Sequence, residues 1–131
     1  SKHKINLGMV VMDGAYLVGK VVEVNYLSSR VLLLSDLNSK IPVIVEPNTV
    51  FSILSGTGKD YGIIQYSKKY EDIKNESIIY TSGAGSLFKA GIPIGKMKSN
   101  NLSDEKKVEF FSDFSQLKFV KVVSFKKSEN K

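Results

Sequence analysis

The stretch TSGAGSLFKAGIPIGK, Thr81 to Lys96, packs four glycines, two serines and two lysines into sixteen residues. That composition suits a phosphate cradle, a nucleophile turn or a bend between strands, and the rest of the chain reads differently under each. As a nucleotide site it fails on spacing. GAGSLF places Phe88 where G-x-G-x-x-G needs its last glycine, and no strand–helix unit surrounds it. GTGKD upstream puts Asp60 where a P-loop needs Ser or Thr, and Ile53 where the earlier glycine belongs. As a nucleophile turn it lacks a base. Ser82 and Ser55 each precede a glycine, but a serine hydroxyl needs a partner to take its proton, and the one histidine is His3, near the start of the chain. Ser86 and Lys89 have S-x-x-K spacing without the S-D-N and K-T-G elements that accompany it. The bend remains: Gly83, Gly85, Gly91 and Gly95 permit tight turns and close backbone approach, and Pro93 marks a strand entry or edge.

Outward from this stretch, short runs rich in Val, Ile, Phe and Tyr recur about every ten residues between turn residues, the pattern of an all-β sandwich or barrel. The expected strands are Met9–Met12, Leu17–Asn25, Arg30–Leu34, Ile41–Glu46, Val50–Leu54, Gly62–Tyr66, Ser77–Thr81, Ile92–Lys98, Lys107–Phe111 and Phe119–Phe125. None has the period of an amphipathic helix. Asp13-Gly14 is a hairpin signal of type I′. RVLLLSD, apolar without alternation, predicts burial on both sides. The last strand carries apolar residues on both faces, Phe119, Val123 and Phe125 on one and Val120 and Val122 on the other. Such a strand sits in a closed or layered structure, or offers its second face to a partner. Asn100 to Lys107 reads as a polar loop and Ser128 to Lys131 as a fraying end.

The chain has 131 residues, 42% of them hydrophobic, so it is long enough for one compact unit with a sizeable core. No apolar run approaches the roughly 18 residues of a membrane-spanning helix, and the N-terminus lacks the pattern of a signal peptide. The absence of cysteine excludes disulfides, thiolate catalysis and cysteine-ligated metals. Glu71-Asp72, and Asp113 near Glu109, lack the density of a calcium loop, so neither a metal nor a cofactor is expected. The net charge of +6 raises nucleic acid as a partner. However, Arg30 is the one arginine and the lysines are dispersed among acids, the pattern of a solvated surface.

Taken in order, GAYLVGKVVEV, SSRVLLLSDLNSKIPVIVE, LSGTGKDYGIIQY, ESIIYTSGAGSLFKAGIPIGKM and LKFVKVV resemble the extracytoplasmic β domain of the rod shape-determining MreC family, from about Gly14 to Val123. Thr81, Ser82, Gly83, Phe88, Gly91, Ile92, Pro93 and Gly95 match the family's turn motif. Asn75-Glu76 replaces a Gly-Asp pair, and Phe88-Lys89 replaces a Phe-Pro step. The resemblance implies two small β-barrel-like lobes, approximately 1–48 and 49–98 with 107–125 as closing strands, similar to a chymotrypsin-like double barrel without its catalytic residues. It also implies a membrane helix and a coiled coil ahead of the domain in a longer protein, so that the domain lies outside the cytoplasmic membrane.

The implied role is a non-enzymatic scaffold of cell-wall elongation that self-associates and contacts the penicillin-binding transpeptidase and other wall-synthesis membrane proteins. Leu87, Phe88 and Ile92 are the expected partner patch if they are not buried. The rival readings are a hydrolase using Ser82 or Ser55, and a single-strand binder stacking bases on Tyr61, Tyr66 and Tyr70.

Overall fold

The computed structural model describes residues 7–65, 75–84, 89–99, 106–114 and 121–123. Their strands are β1 (Val10–Asp13), β2 (Tyr16–Val24), β3 (Ser29–Leu33), β4 (Lys40–Glu46), β5 (Val50–Gly56), β6 (Tyr61–Gln65), β7 (Ile78–Thr81), β8 (Pro93–Ser99), β9 (Lys106–Phe110) and β10 (Lys121–Val123). Each overlaps an expected strand, and no α-helix occurs among the described residues. Phe119, Val120 and Phe125 lie outside them.

Pairing divides the strands into two units. One is a four-stranded sheet in the order β10-β1-β2-β3, and the other a closed barrel in the order β4-β5-β6-β9-β8-β7. The fold is therefore all-β with one closed barrel and one open sheet, where two barrel-like lobes are expected from the resemblance. The change of unit falls between Leu33, the end of the sheet's β3, and Lys40, the start of the barrel's β4. β4 pairs with β5 and β7 inside the barrel, while β9 closes the barrel and β10 joins the sheet. The change of unit leaves no local mark in the sequence, because strand partners are chosen across the whole chain.

Alternation along the barrel strands turns Ile41, Val43, Val45, Val50, Leu54, Ile64 and Ile79 inward, where all are buried. The sheet adds Val10, Met12 and Leu17 to the same cluster, so sheet and barrel share one core. The ladder between β1 and β2 slips at Val11/Met12, which leaves Val18 as an extra residue on β2. Val18 joins Val11 and Val21 in a second cluster with Met9 and Phe114 on the sheet's other face.

Two local expectations change. The β1–β2 turn has Gly14 and Ala15 at its centre, between the paired Asp13 and Tyr16, and Gly14 has φ of +62°. Ala15 is not among the positive-φ residues, so the turn follows the type II′ pattern with glycine first, in place of type I′. RVLLLSD is not buried on both sides, because β3 is an edge strand. Arg30 and Val31 are exposed, Leu32 and Leu33 half-buried, and Leu34 beyond the strand is buried.

Candidate functional site

The bend after β7 is held by one side chain. Thr81, 1% exposed, donates its hydroxyl hydrogen to the Lys89 carbonyl at 2.5 Å and accepts the Ile92 N–H at 2.9 Å. The backbones close the same ring. The Thr81 N–H donates to the Ile92 carbonyl at 3.0 Å, and the Gly91 N–H to the Thr81 carbonyl at 2.9 Å. Gly91 takes φ of +87°, and Gly83 takes +79° against Ala90. Pro93 pairs with Tyr80 where the β7–β8 ladder slips. Gly95 sits where a Cβ would run into the Glu109 carbonyl oxygen. The motif is a brace between β7 and β8.

The candidate hydroxyls are committed to structure. The Ser82 oxygen accepts the Ala84 N–H at 3.1 Å, and the buried Ser55 hydroxyl donates to Gln65 Oε1 at 2.7 Å. Tyr61 lies beneath the Lys107 ammonium, 4.7 Å from the ring centroid. His3, Tyr66, Tyr70, Leu87 and Phe88 lie outside the described residues. Ile92, expected as part of a partner patch, is 7% exposed and belongs to the core cluster. A partner cannot reach it without opening the brace.

The barrel's exterior supplies a different surface. Residues directly opposite in an antiparallel ladder share a face, and Ile44 is opposite both Phe51 and Tyr80. Tyr80 is in turn opposite Pro93, and Pro42 opposite Ile53. Phe51, Ile44, Tyr80 and Pro93 therefore form one apolar row across β5, β4, β7 and β8, with Pro42 and Ile53 beside it. Phe51 is 64% exposed, and the others are half-buried. Along this row lies an open groove of about 430 Å³ lined by Ile44, Glu46, Tyr80, Thr81, Ala90 and Gly91. Past Ile78, the rim carries Lys96 and Lys98 paired with Glu76 at 3.3 and 3.8 Å. An apolar centre with a charged rim is the anatomy of a protein-contact surface.

Sequence reading passes over this face because Ile44, Phe51 and Ile53 count as core by composition. The available signal is in KIPVIVE, which is apolar at both parities and carries a proline, although only Ile41, Val43 and Val45 point into the barrel.

Relatives agree on the fold. The cell shape-determining protein MreC of Caulobacter vibrioides is 32% identical over 126 residues, which is 96% of this chain and 36% of that protein. The chain thus spans about a third of the length of such relatives. The crystal structure of MreC from Pseudomonas aeruginosa superposes with a TM-score of 0.81 at 30% identity, covering 92% of this chain and 81% of that one. A structure described as a complex between penicillin-binding protein PBP2 and MreC from Helicobacter pylori shares the fold, with a TM-score of 0.63 at 17% identity over 80% of this chain and 67% of that one. The family described as rod shape-determining protein MreC, barrel core, matches residues 1–124, and this chain belongs to it.

Proposed function

We propose that this chain is a non-enzymatic scaffold domain of the cell-wall elongation machinery, working on the outer side of the cytoplasmic membrane. It acts by protein contacts, engaging a penicillin-binding transpeptidase through the apolar exterior of its barrel and associating with further copies of itself. The observation that carries this reading is the outward row Phe51–Ile44–Tyr80–Pro93, an apolar surface on the wrong side of the barrel wall for a core. The names of the relatives support the cell-shape role, and the Helicobacter pylori complex supports the class of partner. Leu87 and Phe88, outside the described residues, remain part of the proposed partner surface.

The test is a titration of this chain against the soluble ectodomain of the organism's elongation transpeptidase, with Phe51→Ser and Phe88→Ser compared after their folding is checked. Truncating an anchor of a contact surface weakens binding about tenfold or more. Absence of saturable binding at high micromolar concentration, or unchanged affinity in both folded variants, would sink the reading.

A further inference from the structure

The charge of this chain is unevenly divided between its two units. Residues 34–117, which contain every barrel strand, hold ten lysines and ten acids, which cancel. Residues 1–33 and 118–131, which contain the four strands of the sheet, hold nine basic residues against three acids, so the whole excess of +6 lies in them.

Strand pairing gathers these segments at one end of the sheet. Val10 is opposite both Val123 and Lys20, and the Gly8 N–H donates to the Val21 carbonyl at 2.8 Å. The chain therefore enters β1 and leaves β10 at the end towards which β2 runs to its hairpin tip with β3. Lys4 is three residues before Leu7 and Lys126 three after Val123, and each residue of such a tether spans at most about 3.5 Å. The exposed apolar side chains are at the same end. Past the slip between Val21 and Glu23, Val22 to Arg30 are exposed. The tip is closed by the Asn25 N–H donating to the Ser28 carbonyl at 2.7 Å. It presents Tyr26 at 98% and Leu27 at 89% exposure, and Leu7, next to Gly8, is 66% exposed. Arg30 lies 4.0 Å from Glu23, with both side chains largely in water.

Three kinds of partner could meet an apolar tip among cations. A stable protein contact buries about 800 Å² on each side, far more than two tip side chains supply. A soluble polyanion would use the charge and leave Tyr26 and Leu27 in water. A bilayer uses both. Leucine gains by entering the acyl boundary, a tyrosine ring rests at headgroup level with its hydroxyl wet, and nearby lysine and arginine are drawn to anionic lipid.

We propose that this end of the sheet docks on an anionic lipid surface, with Tyr26 and Leu27 entering the headgroup layer and the surrounding cations meeting lipid phosphates. The contact uses the sheet and leaves the exterior of the barrel free.

Flotation with vesicles of phosphatidylcholine, alone or with about a third phosphatidylglycerol, tests it. The chain is expected to bind the anionic vesicles at least about tenfold more tightly than the neutral ones, and high salt should release it. Tyr26→Ser with Leu27→Ser, at exposed positions, should weaken binding about tenfold. Leu37→Ser removes an equally exposed leucine beyond the other end of β3 and should bind as the parent does. The chain has no tryptophan, so Tyr26→Trp reports the tip alone, and its emission should shift to the blue with anionic vesicles. Absence of binding to anionic vesicles, equal binding to neutral ones, a folded double variant that binds like the parent, or an unmoved tryptophan emission each overturns the inference. Binding to polyphosphate that the double variant keeps, with none to vesicles, would assign the charge to a soluble polyanion and overturn it likewise.

Discussion

The Thr81 hydroxyl accepts the buried amide hydrogen of Ile92 at 2.9 Å, so the polar end of one side chain holds the bend that the glycines permit. Replacing it with an isostere that cannot hydrogen-bond takes this acceptor from that amide and this donor from the Lys89 carbonyl. Thr81→Val is expected to lower unfolding stability by about 1–3 kcal/mol, with Thr81→Ser retaining most of it. Urea unfolding of the three proteins measures both, and equal midpoints for Val and Thr would show that the brace lies elsewhere.

Gly91 and Gly95 should fail for different reasons. At Gly91 a Cβ meets nothing within 4 Å, but φ is +87°, so Gly91→Ala costs about 1–2 kcal/mol and Gly91→Asn recovers part of it. At Gly95 the obstacle is the Glu109 carbonyl oxygen across the β8–β9 pair. Gly95→Ala is expected to cost at least about 1–3 kcal/mol of overpacking, and no polar substitute should rescue it. Rescue by asparagine at both positions would contradict the distinction.

Ser52 points into the barrel, 6% exposed, and its hydroxyl has no hydrogen-bond partner among the described residues. Ser52→Ala removes a desolvated polar atom and should be neutral or stabilising by up to about 1 kcal/mol. Ser55→Ala, which strands Gln65 Oε1, should instead cost about 0.5–1.5 kcal/mol. Thermal unfolding of the pair reads the opposite signs directly.

Glu76 binds two lysines at the rim, yet its side chain is 55% exposed. Glu76→Gln should change stability by less than about 1 kcal/mol, and high salt should erase the difference. A larger loss that persists in salt would mean that the rim is structural.

The sequence by itself determined the strands. Every described strand is visible as a short Val/Ile/Phe/Tyr run between turn residues, because a two-residue period needs only local spacing to be read. It also determined the family and the lack of a credible base for Ser82, since a motif order and a single histidine are facts of the chain. The partition into sheet and barrel came only from the tertiary structure. β4 lies close to β3 in sequence but pairs with β7, and such long-range pairing leaves no local mark.

The surface was decided in three dimensions too. Period two shows that a strand has two faces, and where both are apolar, as in KIPVIVE or VVEVNYL, it cannot say which meets the core. Closure of the barrel turned Val43 inward and Ile44 outward, and past the slip after Val21 the residues Val22 to Arg30 are exposed. Ile92, expected at a partner only if unburied, lies in the core with its N–H held by the Thr81 hydroxyl. Burial is a property of what packs opposite a side chain, and that neighbour is chosen by the whole chain.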